Sequence, residues 1–348
     1  MTQASNDSSL KELWYTRCSV PTPLGVASQL GWISDEFKAD GITIKTLQDS
    51  TDPALLESHY DHHIANSFRY GGNVPAIWAR SRGRQTRVIG LNWVDEYQAI
   101  LVKPGSDIRE PKDLKGKRLA LPRHEEDSID HRRASTLRAF EAALQVGRLA
   151  ESDVTFVEFV GRPREGQRLV RAQPGRHEFG PVLEALSEGT VDVIFIKGSR
   201  GAQIAAEHNL QLVYDFGKHP DPLVRASNAA PRTLTVDQGL LDHHPAIAER
   251  LLARVHDVGD WARAHPAETV SLIGKETGTA DQWVRAAYGD LYQHQQTTLD
   301  EISVKGLQAF TDFLHRREFI PNAVNVREWI DARPLEQVLQ RRASRNAA

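Results

Sequence analysis

Short apolar runs of strand length alternate with segments of helical period over the first two thirds of the chain, and the remainder is helical in pattern alone. The strand-like runs fall at 13–17, 42–47, 87–93, 97–102, 119–121, 154–159, 191–196 and 210–215, with helical segments such as 74–81, 127–147, 179–187 and 199–207 between them. Strands separated by helices are not hairpin neighbours, so the pattern predicts an α/β fold of mostly parallel sheets covered on both faces. Two interruptions divide it: Lys103-Pro104-Gly105-Ser106, and a return linker over 216–230 that carries Pro220 and Pro222. At 348 residues there is more chain than one ordinary core serves. The expectation is two lobes, the first discontinuous over 1–103 and 230–348, the second over 104–229.

Further elements follow from local signals. Pro23 is placed to open a helix with Leu24, Ala27, Leu30 and Ile33 on one face. Pro245 opens another, with Ile247, Leu251, Val255, Val258 and Ala262 on its apolar stripe. Ile302, Leu307, Phe310 and Phe313 mark a third, which ends before Pro321.

Composition narrows the function. Forty-three basic against 46 acidic residues give a net charge of −3, which does not favour nucleic acid or an anionic membrane as partner. The densest apolar run, 191–196, is far too short to span a bilayer. The single cysteine, Cys18, excludes an internal disulfide and any cysteine-built zinc or iron–sulfur site. The polar start Met1 to Lys11 has no apolar core of a signal sequence, and the expected location is the cytoplasm. Gly161-Arg162-Pro163-Arg164-Glu165-Gly166 lacks the glycine spacing of a dinucleotide site and no P-loop occurs, so action without a cofactor is expected.

Cys18 follows the first strand and precedes the helix at Pro23, where helix N–H groups favour a thiolate and where open α/β sheets bind ligands. A lone cysteine is otherwise a small buried hydrophobe. Glu57-Ser58-His59-Tyr60-Asp61-His62-His63 is a polar, histidine-rich stretch. His59 and His63 stand four apart, a spacing that suits a metal on a helix, but no further ligand pattern accompanies them and no metal site is expected. The ordinary reading is solvated loop histidines. In Arg69-Tyr70-Gly71-Gly72 the guanidinium suits a two-oxygen anion, and paired glycines let backbone amides approach the same anion; the ordinary reading is a surface arginine beside a turn. Arg123 and His124 follow one strand end and Lys197 another, as ligand contacts or as a solvated basic rim.

The two-lobed layout, with the segment Pro111-Lys112-Asp113-Leu114-Lys115-Gly116-Lys117-Arg118, resembles the type II periplasmic-binding-protein fold of nitrate, sulfonate and taurine receptors. A narrower resemblance rests on Trp14-Tyr15-Thr16-Arg17-Cys18-Ser19-Val20-Pro21 and on His59 followed ten residues later by Arg69 and the glycine pair. These look like the hydroxybiphenyl sulfinate desulfinases. The resemblance implies Cys18, His59 and Arg69 as catalytic residues, Gly71 and Gly72 as substrate-binding, and hydrolytic release of sulfite from an organic sulfinate without a cofactor. Arg123-His124-Glu125-Glu126-Asp127 and Lys197 stand where that family is apolar, which adds Arg123, His124 and Lys197 as contacts to a more polar ligand. The partner expected is then a small anionic sulfur compound. The alternative is a non-catalytic receptor for a sulfonate, nitrate or related anion, serving an ABC permease.

Overall fold

A computed structural model describes residues 10–125, 128–160 and 179–346; the expectations for Met1 to Ser9 and for Gly161 to Gly166 lie outside the described residues. The first half runs β1 (Glu12–Arg17), α1 (Pro23–Gln29), α2 (Trp32–Lys38), β2 (Thr43–Thr46), α3 (Pro53–Asp61), β3 (Ser67–Gly71), α4 (Asn73–Ser81), β4 (Thr86–Asn92) and β5 (Gln98–Val102). Next come β6 (Arg118–Arg123), α5 (His131–Gly147), β7 (Thr155–Val160), α6 (Gly180–Glu188), β8 (Ile194–Lys197), α7 (Gly198–Glu207), β9 (Gln211–Asp215) and α8 (Pro222–Arg225). The chain finishes with β10 (Arg232–Asp237), α9 (Gln238–His243), α10 (Pro245–Ala264), α11 (Pro266–Thr277), α12 (Asp281–Tyr288), α13 (Glu301–Arg316), α14 (Val326–Trp329) and α15 (Arg333–Asn346). Among the described residues no helix is long and apolar enough to cross a membrane.

Local chemistry explains the starts and stops. Thr22 caps α1 by accepting from Gly25 N–H, and Pro23 takes the first helical position, where no N–H is needed. The helix expected to reach Ile33 is instead broken at Gly31, whose φ of 79° only glycine adopts freely. Asp52 caps α3, so the histidine-rich stretch read as a loop is helical up to Asp61. The stripe expected on α10 is buried at every position named, whereas Ile302 on α13 is exposed.

The first sheet has the order β2-β1-β3-β10-β4, and the second contains β8-β5-β9 with the pair β6-β7 joined to it by a parallel Leu119–Val193 bridge. β1 is parallel to β2 and β3, and β6 to β7. β10 runs antiparallel to β3 and β4, and β5 to β8 and β9. The strand that opposes its sheet is in each case the one by which the chain arrives from the other sheet. This is the mostly parallel α/β architecture expected, with two corrections. The strand at 97–102, read as closing the first half, is β5 in the second sheet, so the crossing precedes it at 93–97. And Arg232–Asp237, in the region read as helices alone, is β10, inside the first sheet.

The crossings are stitched together by charge. The Glu96 carboxylate, buried in the first crossing, accepts from Lys197 Nζ at 3.0 Å and from Arg232 Nη2 at 3.3 Å, one cation from each sheet. Asp215 Oδ1 accepts from the N–H groups of Gln98, where the first crossing enters β5, and of Gly217, at the start of the second. Removing one partner of such a buried pair strands the other charge. Glu96→Ala is expected to lower the unfolding free energy by about 3–5 kcal/mol in denaturant titration, with Arg232 left buried and uncompensated.

Candidate active site

Strand register assembles the site. β1 and β3 lie side by side with Thr16 opposite Arg69, and Cys18 N–H continues the ladder to Tyr70 O at 3.2 Å. Side chains alternate along a strand, so Thr16 and Cys18 share a face with Arg69 and with the position of Gly71. A Cβ at Gly71 would sit 2.3 Å from Cys18 Sγ; the glycine exists to admit the thiol. α3, capped at Asp52, brings His59 to the same point.

The contacts converge on sulfur. Cys18 Sγ lies 3.4 Å from His59 Nε2 and accepts from Arg69 Nη2 at 3.4 Å. His59 Nδ1 is 2.8 Å from Thr16 Oγ1. Arg69 also donates through Nε to His59 O at 2.9 Å and through Nη1 to Gly72 O at 2.8 Å. His59 and Arg69 are buried, while Cys18 is only partly so. Burial, then the Arg69 charge and neighbouring His62 and His131, hold His59 well below the usual histidine range. It is therefore a neutral imidazole, able to take a proton from sulfur or return one. Burial pushes Arg69 down from the usual arginine value, against the opposing influence of Cys18 and Tyr60. Among the described residues Arg69 has no carboxylate partner. Three of its five N–H groups are engaged, and among the described residues one on each terminal nitrogen has no partner.

The structure thus brings together Cys18, His59, Arg69, Gly71 and Gly72. Both glycines also admit a neighbour at close range. A Cβ at Gly72 would meet Asn228 Oδ1 at 2.7 Å, and Asn228 itself holds the first amides of α4: Asn73 N–H bonds to its backbone O and Val74 N–H to its Oδ1, each at 3.0 Å. The other three residues are not joined to the thiol by any hydrogen bond or ion pair. Arg123 is half exposed and pairs with Glu125 and Glu158. His124 Nδ1 lies 3.0 Å from Asp130 Oδ1. Lys197 is committed to Glu96. His63 faces Asp61 rather than joining His59, so the four-residue spacing does not gather ligands.

Thr16, Gln48 and Asn228 were not legible as site residues. Gln48 Nε2 donates to Arg17 O at 2.6 Å and reaches Thr16 Oγ1 at 3.5 Å. Only Thr16 carried a signal, its two-residue spacing from Cys18 on a strand.

No protein-family model matches the chain. It is 25% identical over 365 residues to the 2'-hydroxybiphenyl-2-sulfinate desulfinase of Rhodococcus erythropolis, with 96% of each chain covered. The crystal structure of a desulfurization enzyme superposes with a TM-score of 0.75 at 24% identity, covering 95% of this chain and 99% of that one. The periplasmic aliphatic sulphonate binding protein of Escherichia coli gives a TM-score of 0.67 at 16% identity, with 93% and 92% covered. The chain is a homologue of a sulfinate desulfinase and shares its fold with sulfonate-binding proteins.

Two outcomes follow from this geometry. Gly71→Ala is expected to displace the thiol at a stability cost of about 1–3 kcal/mol, and to slow Cys18 alkylation by iodoacetamide. Acid sensitivity is the second. His59 and His62 are both depressed, so the unfolded chain binds protons that the native one refuses once pH falls below about 6.5. Stability is then full above that value and drops as pH is lowered, by at most about 1.4 kcal/mol per pH unit for each histidine. Denaturant titration at pH 7.0 against pH 5.5 reads the loss, and His59→Gln is expected to reduce it.

Proposed function

We propose that the protein is a desulfinase, hydrolysing the carbon–sulfur bond of an organic sulfinate to sulfite and leaving hydrogen on the carbon. The observation that carries this reading is the convergence of a buried imidazole and a buried guanidinium on the sulfur of a partly buried cysteine. A receptor needs the guanidinium but has no use for the thiol and its imidazole. The homology to the Rhodococcus desulfinase over nearly the whole of both chains supports the same choice.

The remaining Arg69 N–H groups hold the sulfinate oxygens beside the thiol. The Cys18 proton passes to the carbon as the C–S bond breaks. Sγ then has two routes. It bonds to the departing SO2 group, and water releases bisulfite and restores the thiol. Alternatively it stays a thiolate while water adds to SO2, and takes back the proton that this addition frees. Each route consumes one water and yields one R–H and one bisulfite. His59 Nε2, at hydrogen-bond distance, orients the S–H and relays its proton. A transient mass increment of one SO2 on Cys18 after rapid quenching distinguishes the first route.

The substrate class is a small aryl or alkyl sulfinate. A panel of these, assayed for sulfite, tests the reading. Wild type is expected to release sulfite, Cys18→Ser to lose at least about a thousandfold in kcat, and Arg69→Ala to lose about a hundred- to a thousandfold in kcat/KM. Absence of release, with thermal stabilisation by a sulfonate that survives Cys18→Ser, establishes the receptor instead.

A further inference from the structure

Beside Arg69 lies a cavity of about 10 Å³, lined among others by Thr16, Ser58, His62, Ser67 and Arg69. That volume holds about one water. His62 ends α3 with a φ of 55° and is 7% exposed; its Nε2 is buried and has no hydrogen-bond partner among the described residues. Such an atom is costly unless something pairs with it. Ser58 Oγ accepts from Ile64 N–H at 3.0 Å, and its own hydrogen is left to donate.

Hydrogen-bond polarity gives the cavity a purpose. If His59 is to take a proton from Cys18, Nε2 must be bare, so the ring hydrogen sits on Nδ1 and is donated to Thr16 Oγ1. The Thr16 O–H then needs another acceptor. Gln48 cannot serve: Thr46 Oγ1 donates to its Oε1 at 2.5 Å and its Nε2 donates to Arg17 O, so the amide turns its N–H toward Thr16.

We propose that one buried water in this cavity accepts from the Thr16 and Ser58 hydroxyls and donates to His62 Nε2, fixing His59 in the tautomer that can take the Cys18 proton. His62 is thereby a positioning residue, acting through water, Thr16 and His59. Burial, Arg69 and Arg84 keep its ring neutral, with one nitrogen bare to accept. The inference rests on the desulfinase reading for the use of that proton, but its test needs no substrate.

Cys18 is the one cysteine of the chain, so iodoacetamide reports on it alone. The comparison is His62→Met against His62→Gln, side chains of similar length that bear the same backbone strain at this φ and differ in the acceptor. Alkylation at pH 7 is expected to slow about tenfold in the Met variant and to stay within about threefold of wild type in the Gln variant, the worth of one buried hydrogen bond. Equal rates in the two variants overturn the proposal, whether both match wild type or both fall. A high-resolution crystal structure of the wild type is the second arm, independent of how the variants fold. A water bonded to His62 Nε2 and Thr16 Oγ1 is expected there, and a cavity without one overturns the proposal. Loss of the Met–Gln contrast with sulfite release intact defeats this inference alone; the contrast without sulfite release defeats the desulfinase reading alone.

Discussion

A guanidinium taken out of water, with no carboxylate beside it among the described residues, organises this site. Burying a charge costs several kcal/mol unless hydrogen bonds replace its hydration. Arg69 meets that demand with the carbonyls of His59 and Gly72 and with Cys18 Sγ. Each bond does a second job. The one to His59 O fixes the last turn of α3 and so aims the imidazole. The one to Gly72 O fixes the turn into α4. The one to sulfur holds Cys18 Sγ against the guanidinium.

The position of Arg69 is itself held from both sides of its strand. β3 lies between β1, which supplies Thr16 and leads into Cys18, and β10, whose Thr235 Oγ1 donates to Arg69 O at 3.4 Å. β10 is the strand that returns from the second sheet, and Asn228 just before it holds the start of α4. The site is therefore complete only when the chain has crossed and come back. Glu96, with one cation from each sheet, sits at that crossing point, and Arg232, one of its two partners, opens β10.

Much of this was legible in the sequence, and the rest was hidden for physical reasons. The alternation of strand and helix runs gave the α/β class, and the stripe on α10 gave its buried face. Cys18, His59 and Arg69 stood out through their spacing and resemblance, since residue type alone would have left a buried thiol and two solvated side chains. β10 escaped because a lone six-residue alternation between a proline-rich linker and a run of amphipathic helices was absorbed into the helical region. Lys197 looked free because Glu96 is remote in sequence and meets it only through the pairing of β5 with β8. The glycine pair was found, but its use in admitting Sγ and Asn228 is a matter of close approach, which no one-dimensional pattern carries.

The most direct measurement is the isotopic and sulfur balance of one turnover in heavy water. With an aryl sulfinate as substrate, the expected result is one sulfite per product and one deuterium at the carbon that held sulfur, absent in Cys18→Ser. A product bearing oxygen at that carbon, or bound sulfinate recovered unchanged, would contradict the assignment of Cys18, His59 and Arg69 to carbon–sulfur cleavage.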